Sequence, residues 1–81
     1  MIGITYKQLS LWIQQKQPVV VKTSQGEGIY LLVKLYEDAE KVFAYDRTMK
    51  LIGITLDEIR AISPAKIHGS FFVKEQMVVA M

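Results

Sequence analysis

Pro18 separates two different hydrophobic patterns in this 81-residue chain. Before it, Leu9, Trp12 and Ile13 recur at the spacing that places side chains on one face of an α-helix. Proline disfavours helical geometry at the residue that precedes it, so a helix must end close to this position. The sequence therefore predicts an N-terminal α-helix over about residues 6–16, with one apolar face available for packing.

The start of this helix also has a clear signature. Thr5 is a favourable N-cap residue, and Gln8 follows it at the spacing of a capping box. Ile4 and Leu9 are spaced as a hydrophobic staple, which fixes the direction in which the chain enters a helix. We therefore expect Thr5 to cap the helix.

Short runs of β-branched and aromatic residues follow Pro18, separated by glycine, serine and charged residues. This pattern predicts short strands joined by turns. The strands are expected at about residues 19–21, 29–36, 41–46, 51–55 and 59–62. In the second strand, simple alternation predicts one face with Ile29, Leu31, Val33 and Leu35 and the other with Tyr30, Leu32, Lys34 and Tyr36.

Short strands at this spacing are typical of a small barrel. We therefore predict a mainly β domain over residues 1–64, in which the N-terminal helix precedes a five-stranded, strongly bent barrel. Residues 65–81 form a C-terminal extension. Its apolar runs at 71–73 and 77–79 predict an extra strand segment, packed on the domain or on a neighbouring subunit.

Composition points to self-association. Hydrophobic residues make up 51% of the chain, a high share for a domain too small to bury a large core. The run 51–54 has no polar face, which is typical of a strand covered on both sides, although a central strand beneath the helix also fits. The pattern therefore predicts a subunit interface that contains Leu51, Ile52, Gly53 and Ile54.

Several functional classes have no support in the sequence. The chain has no cysteine and one histidine, His68, which excludes disulfides, thiolate metal sites and a zinc site made from one chain. The absence of cysteine fits a cytoplasmic protein. No apolar run approaches the length of about 20 residues that a membrane-spanning helix needs. Asp57 and Glu58 are adjacent without a histidine partner, so we predict neither an enzyme nor a bound cofactor or metal.

The order of one helix and five strands resembles the Sm-like family, which includes the LSm and Hfq proteins. Tyr36-Glu37 stands where the first family motif has an aromatic residue followed by an acidic one. The exit from the helix at residues 17–19 is similar to the helix-to-strand junction of the family. The run 54–64 aligns without gaps to the Hfq segment that spans the second motif, with Pro64 at its end.

This resemblance implies a homo-oligomeric ring of about five to seven subunits, in which strand four of one copy pairs with strand five of the next. That pairing adds Ile59 and Ile62 to the predicted subunit interface. It also implies binding of single-stranded RNA, or an RNA chaperone role, without catalysis. Two loops then border the pore, one beside Tyr36 and Lys41 and the other beside Thr55. The residues that the resemblance assigns to RNA are Tyr36, Lys41, Thr55, Lys7, Gln8 and Lys16.

An alternative function uses the same ring without RNA. The net charge is only +2, and Asp57 would repel phosphate if it faced a pore. Both features favour a protein-interaction or structural module, such as a component encoded by a phage or mobile element. Individual residues also have simpler explanations: Tyr36 packs on neighbouring strands, Lys41 is solvated, and Trp12 belongs to the core.

Overall fold

The N-terminal helix forms as the sequence predicts. In a computed structural model that describes residues 5–72, helix α1 spans Tyr6–Gln15. The Thr5 hydroxyl accepts a hydrogen bond from the Gln8 backbone N–H at 3.1 Å, which confirms the predicted N-cap. Lys16 adopts the left-handed conformation (φ 54°) and ends the helix. The predicted staple involves Ile4, which lies outside the described residues.

Five antiparallel strands follow, close to the predicted positions. They are β1 (Val19–Thr23), β2 (Gly26–Tyr36), β3 (Lys41–Tyr45), β4 (Leu51–Thr55) and β5 (Ala61–Pro64). A short 3₁₀ helix, Leu56–Glu58, connects β4 to β5, so β5 begins two residues later than predicted. Ile59 is nevertheless buried, since the turn directs it into the core. Ile59 is therefore apolar because it is buried, although it does not belong to a strand.

The strands form one sheet in the order β4-β3-β2-β1-β5. β4 pairs with β3 and β5 pairs with β1, so these two strands are the edges of the sheet. Within residues 5–72 no strand pairing joins β4 to β5. The sheet is therefore open, and the prediction of a closed barrel is wrong for the single chain.

The predicted alternation of side chains along β2 is wrong beyond Leu32, because the strand contains a β-bulge. The pairing with β3 skips Val33: Leu32 lies opposite Ala44, and Lys34 lies opposite Phe43. The extra residue reverses the phase of the strand beyond this point. Leu35 consequently faces the core together with Leu32, although simple alternation predicts opposite faces for the two. Lys34 and Tyr36 move to the outside of the sheet.

The core lies between helix α1 and one side of the sheet. Leu9 is fully buried and Trp12 is 8% exposed, which confirms a packing role for the tryptophan. The other core side chains come from all five strands and from the connection before β5: Val19, Val21, Leu32, Val42, Ala44, Ile54, Leu56, Ile59 and Ile62. Complete burial of a valine or leucine side chain contributes roughly 1.5–3 kcal/mol. Because Leu9 and Trp12 share this core with residues of all five strands, the helix covers one side of the open sheet.

Residues 65–72 follow the sheet without forming a strand. The side-chain amide of Gln17 donates to the carbonyl oxygens of Pro18 and Ala65, which ties the start of this segment to the end of the helix. Most of the predicted extra strand, at 73 and 77–79, lies outside the described residues. In the part of the chain that is described, no helix has the length and hydrophobicity to cross a membrane.

Candidate functional site

The outer face of β2, β3 and β4, on the side away from the core, carries three cross-strand rows. Residues paired across an antiparallel sheet project from the same side of it. The pairings place these residues in rows because each residue of β3 lies between one from β2 and one from β4. The rows are Leu31, Tyr45 and Leu51; Lys34, Phe43 and Gly53; and Tyr36, Lys41 and Thr55. We call these nine residues the outer grid.

Aromatic and cationic side chains meet in the middle of the outer grid. The rings of Tyr36 and Phe43 form an edge-to-face pair with centroids 5.5 Å apart. The Lys34 Nζ atom lies 5.6 Å from the centroid of the Tyr36 ring, within the range of a cation–π interaction. A groove of about 440 Å³ runs along these residues, lined by Val33, Lys34, Tyr36, Phe43, Tyr45 and Leu51.

Gly53 makes room for this arrangement. A Cβ atom at this position would lie 2.9 Å from Phe43 Cε1 and 3.4 Å from Lys41 Cδ. The absence of a side chain therefore allows the aromatic ring and the lysine stem to lie over β4. Any substitution at Gly53 must displace the Phe43 ring.

Three of the residues assigned to RNA by the resemblance form one row of the outer grid. Tyr36 pairs with Lys41 across β2 and β3, and Lys41 pairs with Thr55 across β3 and β4. Tyr36 is 46% exposed, so its ring is accessible. The row thus combines an aromatic ring, a cation and a hydroxyl at one end of the sheet.

The other three assigned residues lie on or next to helix α1. Lys7 is exposed in its first turn, and the Gln8 backbone N–H is used by the Thr5 cap. Lys16, at the end of the helix, lines a second cavity of about 410 Å³ that also borders Val33 and Tyr45. Among these three, Lys16 is therefore the one placed beside the outer face.

Four residues that line the groove are absent from the sequence-based assignment: Val33, Lys34, Phe43 and Tyr45. Phe43 and Tyr45 alternate with buried Val42 and Ala44. The alternation in β3 therefore predicts that both aromatic side chains lie on the outer face. Val33 and Lys34 are different, because the bulge decides which way they face. No periodicity in β2 alone predicts that change.

The residues predicted at a subunit interface divide between the core and the edge of the sheet. Ile54, Ile59 and Ile62 are 6%, 2% and 8% exposed, so they already pack within one chain. Leu51 is 53% exposed on the outer side of β4, and Gly53 is exposed beside it. Ile52 is partly buried against the core.

Hydrogen-bond alternation identifies the groups that β4 presents at the free edge of the sheet. The Asp46 N–H donates to the Lys50 carbonyl, and the Leu56 N–H donates to the Glu40 carbonyl. Because bonded and non-bonded pairs alternate in an antiparallel ladder, Ile52 and Ile54 also bond to β3. The backbone groups of Leu51, Gly53 and Thr55 therefore point away from β3.

The same argument applies to β5. The Ala65 N–H donates to the Pro18 carbonyl, so Ser63 and Ala61 bond to β1 while Ile62 and Pro64 point away from it. Proline fits this position because an edge strand does not need its missing N–H for the ladder. Within residues 5–72, both ends of the sheet thus carry backbone groups without a strand partner.

The two edges differ in the direction of their side chains, and this explains why the sheet stays open. In β4, the residues whose backbone groups point to the free edge have their side chains in the outer grid. In β5, the backbone groups of Ile62 point to the free edge, but its side chain lies in the core. Paired residues of one ladder share a face. Pairing β4 with β5 inside one chain would therefore turn one strand over and remove its side chains from the core.

Charge near the outer grid is mixed. Glu37, Asp38 and Glu40 are exposed in the turn between β2 and β3, close to the row that contains Tyr36. At the opposite end, hydrogen bonds from the Thr48 hydroxyl and from backbone N–H groups hold the pKa of Asp46 below its ordinary value. Asp46 thus orders the β3–β4 turn, with its carboxylate 2.7 Å from the Thr48 hydroxyl.

No metal-binding cluster accompanies this surface in the described part of the chain. Residues 5–72 contain no group of three or more histidine, aspartate or glutamate side chains suited to holding a metal ion. His68 is exposed on the segment after β5. The outer grid itself presents aromatic rings, ammonium groups and apolar side chains.

Comparison with known proteins adds no relative to this description. No family model matches the chain. No curated protein and no solved structure matches it either.

Proposed function

We propose that this chain is a subunit of a homo-oligomeric, Sm-like ring that binds single-stranded RNA and catalyses no reaction. The observation that carries the proposal is the strand order, which leaves β4 and β5 as two unpaired edges of one open sheet. Unpaired edges readily pair with another chain, and head-to-tail pairing of unlike edges closes into a ring when the rotation allows it.

The directions of the side chains support head-to-tail pairing. When β4 of one copy pairs with β5 of the next, the outer side of the first sheet becomes continuous with the core side of the second. A cyclic arrangement of identical subunits allows the same pairing at every interface.

The outer grid supports RNA as the ligand. Tyr36 and Phe43 offer rings on which bases can stack, and Lys34 and Lys41 offer cations for phosphate. Stacking contributes about 1–3 kcal/mol per base and tolerates any sequence. A ring repeats this surface on every subunit, so weak contacts of one copy add along an RNA strand.

Light scattering coupled to size exclusion tests the assembly. We expect one discrete species of about five to seven chains. A stable monomer at micromolar concentration would contradict the proposal, because both edges would then persist without a partner.

Titration with oligo-A and oligo-U at two salt concentrations tests the ligand. Replacing Lys34 and Lys41 together by glutamine removes two cations per subunit and should flatten the plot of log K against log salt by about 1.4, at about 0.7 per phosphate contact. Replacing Lys22 and Lys66 together by glutamine is the matched control, since it removes two exposed cations that lie outside the outer grid. An equal loss in both variants would place the RNA elsewhere.

A protein ligand is the second candidate. The acidic turn at residues 37–40 lies beside the Tyr36 row and weakens attraction for phosphate. The groove also contains Val33 and Leu51, which suit an apolar side chain of a partner. Assembly without RNA binding at low salt would favour this candidate.

A further inference from the structure

A cleft of about 280 Å³ lies beside the free edge of β4. Ile52, Gly53 and Ile54 form its wall on β4, and residues of the β1–β2 hairpin form the opposite wall. Because Ile54 belongs to the core and Ile52 packs against it, the cleft lies on the core side of the sheet and not on the outer grid. A strand that pairs with the free edge of β4 would therefore run along this cleft.

Two carboxylates line the cleft. Glu27 belongs to the β1–β2 hairpin and Glu58 to the 3₁₀ turn that follows β4, and both residues are exposed. Among the described residues, no lysine or arginine lines the cleft. The cleft therefore attracts a cationic side chain from outside the subunit.

The start of β5 carries such a side chain on its exposed side. The Arg60 N–H donates to the Lys22 carbonyl at 2.7 Å, and Lys22 also pairs with Ala61. Two residues thus lie opposite one, as in a β-bulge, so the alternation of β5 does not extend back to Arg60. Arg60 and Ala61 are both exposed, whereas Ile62 is buried. Arg60 therefore lies with Ala61 and not with the core-facing Ile62.

The direction of pairing between two copies decides which charges meet. Paired residues share a face, so the core side of β4 in one copy continues into the exposed side of β5 in the next. In an antiparallel contact, the start of β5 lies beside the end of β4, which brings Arg60 to the turn that contains Glu58. A parallel contact would instead place Arg60 beside Lys50, before the start of β4, where like charges repel.

We propose that the cleft receives Arg60 of the next subunit, which pairs with Glu58 and Glu27 when β4 and β5 of the two copies join in antiparallel fashion. The contact rests on the proposed ring and specifies the direction of its strand pairing. Charge complementarity of this kind suppresses wrong pairings and fixes the register of an interface. Each subunit gives one arginine and receives another, so the ring repeats the contact at every interface.

Charge reversal in the whole chain tests the contact. Glu58→Arg and Arg60→Glu should each shift the midpoint of assembly in light scattering to about tenfold higher protein concentration, because each brings like charges together at every interface. Both residues are exposed within one chain, so both variants should fold, which circular dichroism measures. Lys7→Glu is the matched control, since it makes the same change of charge as Arg60→Glu on the helix and should assemble like the wild type.

An equimolar mixture of Glu58→Arg and Arg60→Glu separates contacts between subunits from contacts within one chain. Wherever one variant joins the other, opposite charges meet again across the interface. The mixture should therefore assemble at a lower concentration than either variant alone. A mixture that assembles no better than its components would overturn the contact between subunits.

Failure of this contact and failure of the proposed function give different results. A wild-type ring that neither substitution weakens would overturn the Arg60 contact and leave the ring in place. A wild-type chain that stays monomeric would contradict the ring and the contact together, since the edge of β4 would then be open to a strand of another protein.

Discussion

Thr55→Pro should break the assembly and leave the folded subunit intact. Thr55 already has φ −74° and ψ 132°, and a proline ring fixes φ near −65°. Its N–H points away from β3, so the substitution removes no hydrogen bond of the β3–β4 ladder. The preceding residue lies in a strand, which is the geometry that proline favours there.

The expected magnitudes differ for the subunit and for the interface. A proline that fits the native backbone stabilises the subunit by about 0.4–1 kcal/mol, because it restricts the unfolded chain. At a β4–β5 contact, the lost donor leaves a buried acceptor unpaired at about 1–3 kcal/mol. That free energy corresponds to a contact about 5- to 140-fold weaker, and every contact of the ring is affected.

Light scattering over a range of concentrations measures assembly, and thermal denaturation followed by circular dichroism measures folding. Thr55→Val is the matched control, since it keeps the N–H and the branched side chain and should retain the ring. A Thr55→Pro variant that assembles like the wild type would show that the edge of β4 is not used. A variant that unfolds would refute the assignment of its N–H to the free edge.

Three further predictions concern the ligand, the core and the β3–β4 turn. Phe43→Leu should weaken oligo-A binding by about 1–3 kcal/mol in fluorescence titrations, since it removes one stacking ring; unchanged affinity would exclude the outer grid as the RNA site. Leu9→Ala should lower the free energy of unfolding in urea by about 2–5 kcal/mol, because Leu9 is fully buried; a loss below about 1 kcal/mol would mean that the helix does not pack on the sheet as described. The pKa of Asp46 is lowered from 3.8 chiefly by the Thr48 hydroxyl, so its contribution is present above that pH and is lost as the pH falls through the lowered value. Asp46→Asn should therefore reduce the fall in melting temperature between about pH 5 and pH 2; an unchanged profile would contradict the role of Asp46 in the turn.

Local signals predict the helix and the strands well in this chain. Thr5 and Pro18 bracket the helix, and each acts through backbone geometry that needs no distant partner. The start of β5 is predicted less well, because Ile59 is apolar for burial and not for strand pairing. An apolar residue at a turn into the core has the same appearance in sequence as the first residue of a strand.

The binding surface is only partly predictable from sequence. Tyr36, Lys41 and Thr55 are expected to lie near one another from the loops that they border, and the register of the strands joins them in one row. The position of Lys34 depends on the bulge, which lies within the half of β2 that pairs with β3. A bulge is a property of the register between two strands, so the periodicity of β2 alone does not predict it.

The bulge at Val33 gives β2 one position at which its length can change without altering which side chains face the core. Before it, even-numbered residues such as Tyr30 and Leu32 face inward, and after it the odd-numbered Leu35 does. Loss of Val33 itself would leave Leu32 opposite Ala44 and Lys34 opposite Phe43 in ordinary alternation, so the lysine would stay on the outer face. Related chains should therefore tolerate deletion of one residue at this position, whereas deletion of a paired residue such as Leu35 would turn the following side chains to the opposite face.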